Sequence, residues 1–264
     1  MTTHSFDSSY AKTYDFTYQN KNYGEEVKFI LDLFSRHVEL GQPTHVLDIG
    51  CGTGKHLSGF PESVLKCGVD RSAAMIAEAR TKSISNCLFF ENDIAEFRIP
   101  NRFDLVYSLF HVLSYQTTAT AVKEMLRAIA HHLTDDGLAI LDFWHRPAWE
   151  CDPPKTRLMV RDTKEFSVVR VSSPSVDLVQ SIATIDIRTF SKKSTTDNFT
   201  LSREIHQMRA FTTLELELLC ESQDLRIVDS GPWMSSDRGL HADDWYGWIA
   251  LRHRERSLTA STLK

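Results

Sequence analysis

Apolar positions in this chain follow two periods, and the switch between them divides it. Val27, Ile30, Leu31 and Phe34 recur at i, i+3, i+4 and i+7, which predicts an amphipathic helix over about 24–36. After Gly41-Gln42-Pro43 the pattern becomes one of short apolar runs: His45–Ile49, Leu65–Val69, Leu88–Phe90, Asp104–Ser108 and Leu138–Trp144. Each run reads as a buried strand. Helical stretches lie between them. Ser72 is placed to cap one that carries Met75, Ile76 and Ala79. Another, 119–133, puts Val122, Met125, Leu126, Ile129 and Leu133 on one stripe, with Gly137 as its expected stop. Strands alternating with helices through short connections predict a parallel sheet covered on both faces.

Pro153-Pro154 interrupts this alternation. Within 151–210 the period becomes two: Ile185 and Ile187 alternate with Asp186 and Arg188, and Thr200–Phe211 is similar but more polar. Three or four antiparallel strands with one solvated face are expected. Thr212-Thr213 opens a helix, with Glu215 placed for a capping box and Leu214, Leu218 and Leu219 as the expected apolar stripe. Strands near 225–229 and 246–251 complete the sheet. The expected organisation is an N-terminal covering segment (1–36), a main domain (37–150 and 211–253), an antiparallel β insertion (151–210) and a frayed tail (254–264).

Composition narrows the class. The 264 residues suit one large domain or a domain with an insertion, and 42% hydrophobic with 25% charged residues is a soluble globular mix. A net charge of −5 supplies no field toward nucleic acid or an anionic membrane. The five cysteines, Cys51, Cys67, Cys87, Cys151 and Cys220, are scattered and form no C-x-x-C pair. Neither a metal site nor a disulfide framework is expected, which fits a reducing cytoplasm. No apolar run approaches the ~18 residues that span a bilayer, and the N-terminus lacks a signal-peptide core.

The candidate chemistry sits where strands end. Asp48-Ile49-Gly50-Cys51-Gly52-Thr53-Gly54 follows the first strand directly, and its alternating glycines let a ligand approach bare backbone. Open α/β sheets bind ligands at this end of their strands. Asp70 closes the second strand, where a carboxylate can accept both hydroxyls of a ribose; Asp93 follows the third, near an adenine amino group. Alternatively, Asp48 and Asp70 are helix-capping groups. The glycine spacing departs from the Gly-x-Gly-x-x-Gly of dinucleotide sites, and an acid in the turn repels a pyrophosphate. S-adenosylmethionine, with its ammonium and sulfonium, suits that acid better.

At these residues the chain resembles the class I S-adenosylmethionine-dependent methyltransferases. The resemblance is carried by VLDIGCGTG (46–54), CGVDRSAAMIAEAR (67–80), ENDIAEF (91–97), FDLVYSLFHVLSY (103–115) and LTDDGLAILDFW (133–144). It implies an α/β, Rossmann-like, seven-stranded and mostly parallel sheet of order 3-2-1-4-5-7-6, with the last strand antiparallel. It also implies cofactor-binding roles: Gly50 and Gly52 along the methionine part, Asp48 near its amino group, Asp70 with Arg71 at the ribose, Asp93 and Ile94 at the adenine, and Leu109 flanking. The tyrosine-rich N-terminus, the β insertion and EIHQMRAFT (204–212) are similar to amino-sugar N-methyltransferases, which dimethylate nucleotide-linked amino sugars. In that family N-terminal tyrosines close over the cofactor, which makes Tyr14 and Tyr23 candidates here. His111 departs from the small residues that those enzymes carry after strand four.

Methyl transfer is an in-line displacement that needs no metal, and an amine acceptor must first lose a proton. His111 and, next, His145 are the candidate bases; each alternatively packs as a satisfied polar residue. His206 and Arg209 are candidate substrate contacts, with Arg209 able to bind a phosphate or carboxylate, or else part of a solvated strand face. His131-His132 ends a helix and would complement its dipole if charged. The five tryptophans read as core or rim. The expected function is methylation of an amine on a small molecule by a monomer or homodimer. The alternatives are an O-methyltransferase of a natural-product hydroxyl or carboxylate, and a non-catalytic nucleoside-binding protein. A nucleic-acid methyltransferase lacks support, since no Asn/Asp-Pro-Pro-Tyr segment follows strand four.

Overall fold

The structure is a computed structural model and describes residues 18, 21–162, 166–196 and 198–254. Helix α1 (Tyr23–His37) is capped by Asn22 and buries Val27, Ile30, Leu33 and Phe34. Strands β1 (His45–Ile49), β2 (Leu65–Asp70), β3 (Cys87–Glu91), β4 (Phe103–Ser108) and β5 (Leu133–His145) form a parallel sheet of order β3-β2-β1-β4-β5. Helices α2 (Ala73–Thr81) and α3 (Ala119–His132) connect them, capped by Ser72 and Thr118. Strand β10 (Leu225–Pro232) and strand β11 (Tyr246–His253) pair antiparallel, and β11 pairs antiparallel with β5. This reproduces the expected seven-strand order.

Both faces of the central strands are apolar because both are covered. Val46 of β1, Leu105 of β4 and Ile140 of β5 pack toward α1, while their neighbours Leu47, Val106 and Leu141 pack toward α3 and α5 (Thr213–Glu221). Alternating directions along each strand therefore both lead into a core. Each fully buried aliphatic side chain contributes ~1.5–3 kcal/mol.

The insertion begins after the short helix α4 (Ala148–Cys151). It is a four-strand antiparallel meander: β6 (Arg157–Asp162), β7 (Phe166–Asp177), β8 (Ile182–Lys193) and β9 (Thr200–Phe211). Rather than standing apart, β9 pairs in parallel with the end of β5, Trp144 opposite Ala210 and His145 opposite Phe211. Among the described residues one continuous eleven-stranded sheet results, the insertion joining the expected seven strands. No helix among the described residues is long and apolar enough to cross a membrane.

Three expectations need correction. Gly137 does not stop α3; the helix ends at extended Leu133, and Gly137 lies inside β5, where an added Cβ would meet Asp104 O at 2.9 Å. On α5 the buried stripe is Leu216, Leu219 and Cys220, while Leu214 and Leu218 are exposed, so the apolar phase is rotated from the expected one. His132 does not charge the end of α3. It is fully buried, its Nδ1 lies 2.8 Å from the Ala128 carbonyl and its Nε2 accepts from Ile99 N. Burial pushes it down to about 4, so the ring is neutral.

Candidate functional site

The turn after β1 is built so that only glycine fits. Gly50 has φ +75°, and a Cβ there would lie 2.5 Å from Val112 Cγ2. Gly52 has φ +52°, and a Cβ there would meet nothing within 4 Å among the described residues; Gly52 lines a cavity of about 430 Å³. Left-handed backbone costs an L side chain ~1–2 kcal/mol before any clash. The turn folds back over the end of β2: Gly50 N and Cys51 N donate to the Val69 carbonyl.

Asp70 joins this turn to α2. Its Oδ2 accepts from Gly52 N at 2.9 Å and its Oδ1 from Ser72 N at 2.8 Å. Ser72 itself caps the helix, so Asp70 is a strut rather than the cap. Each carboxylate oxygen has a second lone pair, and Asp70 lines the cavity. Burial raises its pKa, opposed by the two backbone N–H groups and Arg71. Arg71, Asn92, Asp93 and Ile94 continue this wall; Asp93 Oδ1 also accepts from Ala95 N.

Asp48 lies under the turn, does not line the cavity and is 1% exposed. Burial drives its carboxyl well above the ordinary range; the neighbouring Tyr107 hydroxyl pulls it down and Asp70 pushes it up. Among the described residues, Asp48 Oδ2 and the Tyr107 hydroxyl both lack a partner of regular hydrogen-bond geometry.

Beyond β4 the wall is Leu109, Phe110, His111 and Val112. Phe110 and His111 both have φ +67°, two consecutive left-handed residues without glycine. The Asp142 carboxylate on β5 accepts both their backbone N–H groups. His111 Nδ1 also stands 3.0 Å from Asp142 Oδ2, at ion-pair distance but off hydrogen-bond geometry. The imidazole stacks on Tyr246, with ring centroids 4.6 Å apart.

The opposite wall comes from the insertion and the 3-10 turn Leu113–Tyr115. Along β9, Glu204, His206, Met208 and Ala210 alternate onto the buried face. His206 is therefore part of the wall, not a solvated strand face. Its Nδ1 lies 2.9 Å from the Tyr115 hydroxyl and its Nε2 lies 2.9 Å from Glu204 Oε2. Lys155, Arg157 and Arg170 add positive charge to this side. Trp144 lines the cavity, and its buried indole N–H has no partner among the described residues.

Other expected residues are elsewhere. Arg209 points away from the cavity, donating to Glu215 and to the Thr117 carbonyl. That also diverts the Glu215 carboxylate from the expected capping box, although Thr212 still caps Glu215 N. His145 is buried outside the cavity, with Nδ1 3.0 Å from the Asp244 carbonyl. Tyr23 starts α1 and packs edge-on against His56, also outside the cavity. Tyr14 lies outside the described residues. Tyr18, passed over in the sequence, lines the cavity and packs on Phe110. Asp142, Tyr115, Glu204 and Tyr246 were also not singled out; the Glu-x-His spacing on an inward strand face was the one available signal.

Comparison with known proteins agrees with this geometry. Residues 46–137 match the family described as a methyltransferase domain. A dTDP-3-amino-3,4,6-trideoxy-alpha-D-glucopyranose N,N-dimethyltransferase of Streptomyces venezuelae is 28% identical over 145 residues, 54% of this chain and 60% of that protein. The chain thus spans less than two thirds of that relative. The solved sugar N-methyltransferase from Streptoalloteichus sp. superposes with a TM-score of 0.77 at 18% identity, covering 97% of this chain and 95% of that one. An amino pentose methyltransferase from Micromonospora echinaspora, solved with S-adenosylmethionine, gives 0.73 at 18% identity, covering 96% and 99%. The chain therefore has the fold of the class I S-adenosylmethionine-dependent methyltransferases, matches a methyltransferase domain over residues 46–137, and resembles the amino-sugar N-methyltransferases.

Proposed function

We propose that this protein is an S-adenosylmethionine-dependent methyltransferase acting on an amine of a small molecule, with a nucleotide-linked amino sugar as the acceptor class. One observation carries the reading: the glycine turn after β1 and the inner face of the insertion line the same cavity. A donor held at one wall and an acceptor held at the other then meet. The amino-sugar specificity of the S. venezuelae relative supports the acceptor class.

The residues fit the cofactor. Gly50 and Gly52 leave bare backbone for the methionine part. Asp48 lies beneath the turn, where a bound ammonium would favour its ionised form. Asp70, with lone pairs to spare, holds the ribose hydroxyls beside Arg71. Asp93 and Ile94 meet the adenine, and Leu109 flanks it. When bound, S-adenosylmethionine supplies an electrophilic methyl group whose transfer leaves a neutral thioether. The protein's own contribution is alignment and exclusion of water, and near-attack positioning alone can supply ~7–11 kcal/mol of the barrier. Tyr18, on the cavity wall against Phe110, covers the site, and 151–210 shapes the acceptor wall. Lys155, Arg157 and Arg170 attract an anionic acceptor such as a sugar diphosphate. The net charge of −5 fits a small-molecule acceptor rather than nucleic acid, and the scattered cysteines fit a cytoplasmic enzyme working as a monomer or homodimer.

Transfer of labelled methyl from S-adenosylmethionine tests the reading. Label is expected on dTDP-3-amino-deoxysugars and not on hydroxyl or carboxylate acceptors of similar size. Transfer to hydroxyl or carboxylate acceptors alone overturns it in favour of O-methylation.

A further inference from the structure

We propose that Tyr115, His206 and Glu204 form a proton relay that removes the proton of the acceptor's ammonium group, with Tyr115 as the member that meets the acceptor. The relay rests on the amine reading above. Tyr115 ends the 3-10 turn, and His206 and Glu204 sit two residues apart on β9, so only the folded chain joins them. His206 is 4% and Glu204 6% exposed. Tyr115 and His206 line the cavity, whereas Glu204 stands behind. The turn is fixed relative to the cofactor wall by Val112 against Gly50 and by the Ser114 hydroxyl accepting from Trp144 N.

The hydrogen bonds give the relay a direction. An ionised Glu204 accepts from His206 Nε2–H, which fixes the tautomer and leaves Nδ1 to accept the Tyr115 hydroxyl. Tyr115 itself lines the cavity, so its hydroxyl group is the member of the chain that an N–H donor bound there meets. The ammonium passes its proton to that oxygen as the phenol proton moves to His206 Nδ1. The imidazolium formed faces Glu204, and the phenol is restored. The neutral amine attacks the methyl carbon while the C–S bond breaks, its electron pair going to sulfur. His206 returns its proton to solvent between turnovers.

Burial raises the Tyr115 hydroxyl, reinforced by Tyr18 and Glu204 and opposed by Arg170 and Arg71. Tyr115 therefore stays a phenol and passes a proton rather than resting as phenolate. His111 is placed differently. Its backbone and ring both engage Asp142, which makes it part of the loop's scaffold.

Two measurements test the relay. In ligand-free protein, 15N NMR of labelled histidine at about pH 8 is expected to show His206 as the Nε2–H tautomer, with its Nδ1 signal moved by Tyr115→Phe. An Nδ1–H tautomer overturns the relay whatever the acceptor. With a dTDP-3-amino-deoxysugar, His206→Gln and Tyr115→Phe are expected to lower kcat ~10²-fold or more near neutral pH, with partial recovery at alkaline pH. Affinity for S-adenosylhomocysteine stays unchanged. Glu204→Gln, which removes a positioning carboxylate, shifts the pH profile, and Glu204→Asp restores part of it. Variants that methylate the amine at the wild-type rate across the pH range overturn the relay alone. A wild-type enzyme that methylates only hydroxyls overturns the amine reading and the relay together.

Discussion

Asp142 Oδ1 accepts the backbone N–H of His111 at 2.8 Å, and Asp142 Oδ2 accepts that of Phe110 at 3.1 Å. A single buried carboxylate thereby holds two adjacent side-chain-bearing residues in left-handed backbone. Such conformations cost ~1–3 kcal/mol each and persist only where surroundings enforce them. The strained pair turns the chain from the end of β4 into the segment bearing Val112 and Tyr115, and so sets the spacing between the cofactor wall and the acceptor wall.

Asp142→Asn replaces one acceptor oxygen with a donor, leaving one buried N–H facing another. The orphaned donor costs ~1–3 kcal/mol. Urea unfolding is expected to show a loss of that size, and the loop's release is expected to weaken S-adenosylhomocysteine binding as well. Unchanged stability would mean that Asp142 does not hold the loop.

Gly50 and Gly52 are predicted to fail in different ways on substitution by alanine. At Gly52 the methyl group meets no atom of the described residues, so the left-handed penalty of ~1–2 kcal/mol is the cost expected for folding, while a methyl group on the cavity wall is expected to crowd the ligand. Calorimetry is expected to show a large loss of S-adenosylhomocysteine affinity in a folded protein. Gly50→Ala drives into Val112 and is expected to unfold at much lower denaturant, with partial rescue by Val112→Ala.

Asp48 sits where its charge costs stability. Its folded-state pKa is raised by burial, so the folded state holds its proton more tightly than the unfolded one. Stability from this group is fully present below the unfolded carboxylate range and is lost as pH rises from there through the raised folded value. Asp48→Asn is expected to raise the thermal midpoint at neutral pH and to weaken binding of the cationic cofactor. A variant less stable than wild type at neutral pH would contradict this.

His132 gives the opposite slope. Its folded value of about 4 lies below the ordinary 6.5 because burial opposes the charge. In that window the unfolded state binds the extra proton, so stability is full above 6.5 and declines as pH falls toward 4. His132→Gln is expected to flatten this part of the stability–pH curve.

The strand skeleton was legible because buried parallel strands must be apolar on both faces, and five such runs stand out. The ligand-binding turn was legible because glycine is forced where φ is positive and a ligand approaches. The acceptor wall was not, since β9 turns Glu204 and His206 inward on a face that looks polar in sequence. The Glu-x-His spacing, in phase with Met208 and Ala210, is what marks it. The place of Arg209 is not legible in the sequence, because Glu215, six residues on, reaches it only after α5 folds back. Asp142 sits within an apolar strand, and nothing in the sequence tells that its partners are the backbone of Phe110 and His111. His132 reads as a helix-end charge, and only Ile99 N, brought from a distant segment, fixes it neutral.

The central claim is that the turn after β1, with Asp70 and Asp93, holds an adenosyl sulfonium compound. Isothermal titration of the purified chain with S-adenosylhomocysteine, beside NAD, tests it most directly. Saturable heat at one equivalent per chain, reduced by Asp70→Ala and absent with NAD, is the result predicted. No heat with S-adenosylhomocysteine or S-adenosylmethionine, together with saturable binding of NAD, would contradict it.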